Sequence, residues 1–476
     1  MPTLDPSMKV KVIEEEVAPG SSTHDFTYTG FGTPKFAIIL WGQSNVGAGA
    51  PRISSSNFGG VGFFDGTNQC ATGWASDHNV STTNTARGSH SSRAVHIPNA
   101  AGTAAYVAYT ASNITDGIRL TKVSNSYSGS KIVQVILFAG ASIKNVHVGN
   151  FEVNGSTSAV LNNGGSWRPN YCLTMTIGQG SADVNTTNIM TSFGWAMENI
   201  NGAGTGTFKA GSYAIVSQDG VATSNVISHY SGTAFTMELT TGGSLYYAIP
   251  TGFYLSGANG GINFSEVWPA NNKTFYIAME LDTTDTDMMI ERMAGNYFQQ
   301  GSSNITNSSL TSRTDNHAGA VLQVGVTGAL GSNITSGTYH CMWGLRWREP
   351  SGQHAGIAMV EQDGVTTTSC GGHTMGPWYW RIPLINGGGT GRSWQGSFFD
   401  ANQGFAMKTD ELYTLPTSFY ESFTTLAFGI GAREIWAGDE YALLYQGDSG
   451  WGRTTIDVYN GSTKLYGDPN IDVEDF

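Results

Sequence analysis

The chain has 476 residues, with 36 acidic against 23 basic side chains, a net charge of −13 and only 12 % charged residues. That length predicts about three domains. The acidic balance, without a Lys/Arg cluster, excludes a nucleic-acid binder, and no run of about 18 apolar residues offers a membrane span. Glycine is abundant, with 63 residues, nearly twice the roughly 7 % of ordinary proteins. Ser, Thr, Asn and Gly must therefore cover much of the surface, a palette that suits strand faces and tight turns and suits long helices poorly.

In chain order, residues 1–30 mix a short strand-like run, Val10 to Val17, with Gly and Ser, and read as an extended amino-terminal arm. They open without the basic-then-apolar pattern of a signal peptide. From residue 31 the apolar runs are short, rich in Val, Ile, Phe, Tyr and Thr, and punctuated by Gly, Asn and Asp about every 8 to 12 residues, the spacing of a sandwich or barrel. Thr174 and Thr176 alternate with Leu173, Met175 and Ile177, which predicts a half-buried strand with one wet face. Asp219-Gly220 and Asp363-Gly364 read as type I′ hairpin turns. The one helical candidate is Asp287 to Met293, with Thr286 as N-cap.

Self-similarity organises these runs. Ala214-Ile-Val-Ser-Gln-Asp-Gly-Val-Ala-Thr223 recurs as Ala358-Met-Val-Glu-Gln-Asp-Gly-Val-Thr-Thr367, and a weaker copy spans Thr72 to Thr83. Gly117-Ile-Arg-Leu120 followed by the strand Lys131–Phe138 recurs at Gly261-Ile-Asn-Phe264 with Lys273–Leu281, and at Gly404-Phe-Ala-Met407 with Phe423–Ile430. The opening strand Lys35–Gly42 matches Tyr171–Gly178 and Ala320–Gly325. The expected fold is all-β: three tandem antiparallel β-sandwich, jelly-roll-like domains at 31–155, 156–300 and 301–450, with a tail at 451–476.

Chemistry is sparse. The four cysteines, Cys70, Cys172, Cys341 and Cys370, contain no C-x-x-C pair, so neither zinc nor a disulfide framework is expected. Cys370-Gly-Gly-His373 is half a metal site without a second ligand pair, and no cofactor or metal is expected. Asp282, Asp285 and Asp287 lack the glycine and distal glutamate of a calcium loop. His78, His90 and His96 cluster loosely in a polar stretch. Trp343, Trp347, Trp378, Tyr379 and Trp380 read as strand core, or alternatively as a sugar-stacking platform.

Gly42-Gln43-Ser44-Asn45 after the apolar strand Ile38–Trp41 resembles the first block of SGNH carbohydrate esterases, which implies Ser44 as nucleophile. That family closes with Asp-x-x-His. This chain has none, Asp315-Asn316-His317 being one residue short, and its strands lack the crossover helices that family needs. A second resemblance rests on Gly30–Ala37, Gly62–Gln69, Asn79–Thr83, Ile114–Leu120 and Val133–Gly140. These segments are similar to structural domains of tailed bacteriophages over about residues 30–150. The resemblance implies a non-enzymatic virion component (fibre, spike or decoration protein) located on the particle surface. Its expected partners are other virion proteins met through the arm, further copies of itself, and a cell-surface glycan at the later repeats. A stiff string of sandwiches is the expected shape. The alternatives are the Ser44 esterase and a secreted glycan-binding module.

Overall fold

In the computed structural model, residues 9–282 are described with their side chains, except 19, 43–57, 127–128, 130–131, 154, 156, 163–164, 199–207, 230 and 267–271. Strand backbone is described for 57, 131, 230 and 267, and between 290 and 467, where residues 364 and 366 are described as well. The described chain is all-β and its sheets are antiparallel.

The first set of strands is β1 (Lys9–Val17), β2 (Thr23–Thr27), β3 (Phe36–Gly42), β4 (Asn57–Phe64), β5 (Gln69–Ser76), β6 (Thr85–His90), β7 (Val95–Pro98), β8 (Ala105–Ile114), β9 (Gly117–Asn125) and β10 (Lys131–Ala139). The second is β11 (Ile143–Val153), β12 (Ser158–Val160), β13 (Tyr171–Thr176), β14 (Val184–Thr187), β15 (Ile189–Glu198), β16 (Phe208–Ser217), β17 (Val226–Ser231), β18 (Thr236–Leu239), β19 (Leu245–Ser256), β20 (Asn259–Val267) and β21 (Asn272–Leu281). The third is β22 (Ile290–Ala294), β23 (Ile305–Thr306), β24 (Ala320–Val326), β25 (Tyr339–Glu349), β26 (Gly352–Gln362), β27 (Cys370–Met375), β28 (Tyr379–Pro383), β29 (Gly391–Ser397), β30 (Ala406–Thr409) and β31 (Thr424–Phe428). A three-stranded sheet follows, of β32 (Ala442–Gly447), β33 (Thr454–Asn460) and β34 (Thr463–Gly467).

Each set forms one large and one small sheet in the same strand order. The large sheets run β1-β10-β3-β4-β5-β6, β11-β21-β13-β15-β16-β17 and β22-β31-β24-β25-β26-β27. The small ones run β2-β9-β8-β7, β12-β20-β19-β18 and β23-β30-β29-β28. The recurring sequence segments fall on corresponding strands, β3, β13 and β24 among them. The sheet register corrects their alignment by one residue. Phe36 lies opposite Phe138 and Tyr171 opposite Met279, so Phe36, not Lys35, corresponds to Tyr171. In a strand a one-residue slip exchanges the two faces.

The faces show why. Ala37, Ile39, Trp41, Val133, Val135 and Leu137 point from the first large sheet into a core shared with Phe26, Ile97, Tyr109, Ile118 and Leu120 of the first small sheet. The alternate residues Phe36, Ile38, Leu40, Phe63, Trp74, Ile136 and Phe138 instead meet Tyr171, Leu173, Met175, Phe193, Trp195, Phe275 and Ile277 of the second large sheet. The reverse face of that second sheet, with Cys172, Ala196, Tyr276 and Ala278, packs on Phe253, Ile262 and Phe264 of the second small sheet and on Phe235 just ahead of β18. Strands buried on both faces read as continuous apolar runs, and β3, Phe-Ala-Ile-Ile-Leu-Trp-Gly, is buried at every position.

The first two large sheets thus share one core, and each is covered on its other face by its own small sheet. This overturns the expected end-to-end string for the first two sets. It also removes the wet face expected on β13, because Thr174 and Thr176 are buried. Their hydroxyls are satisfied locally: Thr174 donates to the Phe235 carbonyl across the sandwich, and Thr176 donates to the Lys273 carbonyl at 3.1 Å.

Three further expectations are corrected. Residues 9–27 are not an extended arm: β1 pairs with β10 over its whole length, β2 pairs with β9, and Val10, Val12, Val17 and Phe26 are core residues. The boundary placed near residue 155 lies instead ahead of β11, which is already an edge strand of the second large sheet. The expected helix at 287–293 falls partly outside the described residues, and its end, Ile290–Ala294, is strand β22 paired to β31.

Glycines permit the close crossing of the sheets. A Cβ on Gly62 would lie 1.8 Å from the Ala94 carbonyl oxygen, and one on Gly194 would lie 2.1 Å from that of Phe235. These two are matched positions, since Ile39 lies opposite Gly62 and Thr174 opposite Gly194.

Candidate functional site: the seam between the first two strand sets

The connection from β13 to β15 does more than join two strands. Its middle, β14, crosses to the first large sheet and pairs antiparallel with β6, closing that sheet's free edge. A polar constellation surrounds this added strand. Arg87 of β6, only 4 % exposed, donates to the carbonyls of Thr187 and Asn188 at 2.9 Å each. Burial lowers its pKa to about 10, so it stays charged at neutral pH. Ser89 donates to the Ala182 carbonyl at 2.8 Å. Ser91 donates through both its amide and its hydroxyl to Asp183, at 2.7 and 2.9 Å.

His96 sits at the centre, 2 % exposed. Its Nε2–H donates to Asn185 Oδ1 at 2.8 Å, and its Nδ1 accepts from Arg93 at 3.0 Å. The guanidinium can only donate, so this geometry selects the neutral imidazole protonated on Nε2. Burial, with Arg93 and His90 adding to it, lowers the His96 pKa to about 4 against the pull of Asn185 and Asp183. His90 is also held below its usual value, chiefly by burial and then by Arg93. The rings of His90 and His96 are 5.5 Å apart.

Ser, His and Asp meet here without forming a triad. A triad engages Asp on one ring nitrogen and the nucleophile on the other. In this seam a single nitrogen, His90 Nδ1, faces Ser92 at 3.2 Å and Asp183 at 3.4 Å, and both nitrogens of His96 are spent. The constellation ties the two strand sets together.

A second tie lies at the other end of the strands. Asp65 accepts from the amides of Thr67 and Asn68 within its own turn, and from the Val148 amide of β11 at 2.8 Å. His147 stands 3.9 Å from Asp65, and burial lowers its pKa. A third tie joins the turns that follow β5 and β16. Thr83 and Val221 exchange backbone and hydroxyl hydrogen bonds at 2.9 Å, Gly220 donates to the Thr83 carbonyl at 2.9 Å, and Asp219 accepts from the Thr85 amide at 2.9 Å. Asp219-Gly220 is thus not a two-residue type I′ turn. The connection runs from Gln218 to Asn225, whose amide and carbonyl pair at 3.0 Å, and only Gly220 takes positive φ.

Of the residues singled out from sequence, His90 and His96 come together, while His78 lies in the turn after β5. Asp282 pairs with Lys144 at 2.9 Å; Asp285 and Asp287 lie outside the described residues. Cys70 and Cys172 are buried thiols whose pKa values burial raises, which leaves them poor nucleophiles. Ser44, Asp315, His317 and Trp378 lie outside the described residues. Cys341, Trp343, Trp347, Cys370, His373, Tyr379 and Trp380 lie on β25, β27 and β28, where only backbone is described. Among the described residues no group of three His, Cys, Asp or Glu side chains is placed to hold a metal, and no helix is long and apolar enough to cross a membrane.

Sequence reading missed Arg87, Arg93, Asp183 and Asn185. Arg93 meets His96 only three residues on, but the partners of Arg87, Asp183 and Asn185 lie 89 to 101 residues away in the chain, and no local pattern marks a strand lent to another sheet. No protein-family model matches the chain, and no curated protein matches it.

Proposed function

We propose that the chain is a non-enzymatic structural component of a bacteriophage virion, a fibre, spike or decoration protein built from three tandem β-sandwich domains. The observation that carries this reading is how the polar side chains of the seam are used. Arg87, Ser89, Ser91, His96 and Asp183 are engaged in holding one strand set to another, so the best-built polar cluster is a fastening. The composition supports it too, with few charges and abundant turn residues on a surface suited to a long-lived particle. The phage-domain likeness of segments within residues 30–150 gives that fastened body a setting.

The test is peptide mass spectrometry of purified particles, in which this chain is expected at a fixed stoichiometry to the major structural proteins. Its absence from washed particles contradicts the reading. In parallel, purified protein is expected to leave nitrophenyl acetate unhydrolysed above background, with Ser44→Ala unchanged. A saturable activity lost in Ser44→Ala would replace the structural reading with an esterase.

A further inference from the structure

Three contacts between strand sets are of one kind. The fifth and sixth strands of the first large sheet, β5 and β6, approach β15 of the second, and β5 also approaches β11 and β21, with Cα atoms within 8 Å. The corresponding strands of the second sheet, β16 and β17, approach β25 of the third, and β16 also approaches β24 and β31. Those of the third, β26 and β27, approach β3 and β4 of the first. First meets second, second meets third, and third meets first, each time with the fifth and sixth strands of one large sheet against the fourth strand of the next. A head-to-tail interface that returns to its start generates a ring.

The turns after these strands repeat the relation at atomic detail. Gln218 and Asn225 close the second turn by the same 3.0 Å backbone hydrogen bond as Asp77 and Asn84 close the first, so Thr83 corresponds to Ser224 and Asn79 to Gly220. The Gly220 amide donates to the Thr83 carbonyl at 2.9 Å, and the Gly364 amide donates to the Ser224 carbonyl at 2.9 Å. One bond type therefore links turn two to turn one and turn three to turn two. Asn79, Gly220 and Gly364 all have positive φ, at 60°, 72° and 71°, a conformation that Gly adopts freely and Asn tolerates.

We propose that the three strand sets surround a pseudo-threefold axis, so that one chain closes as its own trimer with the large sheets inward and the small sheets outward. A partner then meets a single chain where a homotrimer would offer three identical ones. At the axial end it meets three non-identical turns, carrying Asn79, Gly220 and Gly364. This holds wherever the protein resides and does not depend on the virion assignment.

The test uses the full chain in solution. Light scattering is expected to give one chain, 50.6 kDa, and X-ray scattering a radius of gyration of about 23 Å, the value for one compact body of this length. Amide exchange is expected to show the Gly220 and Gly364 N–H groups protected together. A mass of three chains, a radius near the roughly 34 Å of three such domains in a row, or a freely exchanging Gly364 amide would each overturn the ring.

Discussion

His96 carries a proton balance that reaches solution. Its native pKa, about 4, lies below the roughly 6.5 of an unfolded histidine. Between those values the unfolded chain binds more protons, so this contribution to stability is complete above about pH 6.5 and is lost as pH falls toward 4. The difference is worth about 3 kcal/mol at most. Asp183, whose carboxyl is held below its usual value mainly by hydrogen bonds from Ser91 that outweigh burial, and His90 both act in the same direction. Denaturant midpoints are expected to fall between pH 7 and pH 4.5, and His96→Gln is expected to flatten that fall. A midpoint that does not change over this range would remove the seam from the account.

Gly62 and Gly194 make the second argument at this scale. An added methyl at either meets a backbone carbonyl inside 2.2 Å, and backbone cannot step aside as a flexible side chain can. Gly62→Ala and Gly194→Ala are each expected to cost about 2–3 kcal/mol or more, the upper range for overpacked cores. Gly30→Ala makes a contrast: open space surrounds its Cβ position, so its cost is the strain of positive φ alone. Thermal melts of the three variants separate collision from backbone strain.

At the scale of elements, β14 is the piece whose role depends on a distant partner. Its backbone pairs with β6, and Arg87 anchors its end by two carbonyls. Arg87→Met keeps the apolar stem and removes both donors, leaving those carbonyls without the charged partner. Hydrogen bonds to charged groups contribute about 1.5–3 kcal/mol, so a loss of that order is expected in equilibrium unfolding, with faster protease cleavage between residues 177 and 188. Unchanged cleavage would mean that β14 is held by something other than this arginine.

The elements also mark where sequence stops being informative. Strand identity was legible, because Val-, Ile- and aromatic-rich runs between Gly and Asn clusters have few other solutions. The strand set was legible in outline, because three segments recur in one order. The burial of Thr174 and Thr176 was not, since alternation in β13 looks the same whether its second face meets water or a second layer. Nor was the docking of β1: Lys9-Val-Lys-Val-Ile-Glu-Glu-Glu-Val17 reads as strand-like but has the charge of an arm, yet its valines enter the core while Glu14 pairs with Gln134. The seam was half legible. Two of its histidines stood out, while Asp183 and Asn185 gain meaning only once β14 has crossed over.

For the whole molecule, one physical feature supports everything else: the first two large sheets bury their outer faces against each other. Trp74, Phe63 and Leu40 on one side, and Trp195, Phe193 and Met175 on the other, belong to one core. Each such side chain contributes about 1.5–3 kcal/mol by leaving water, and none of that survives if the halves part. The first two strand sets must therefore melt together, unlike beads on a string. Differential scanning calorimetry of the full chain tests this directly. The expected result is a single transition for residues 9–282, with Trp74→Ala and Trp195→Ala each lowering the same midpoint. Two separate transitions, each moved by only one of these substitutions, would contradict the shared core.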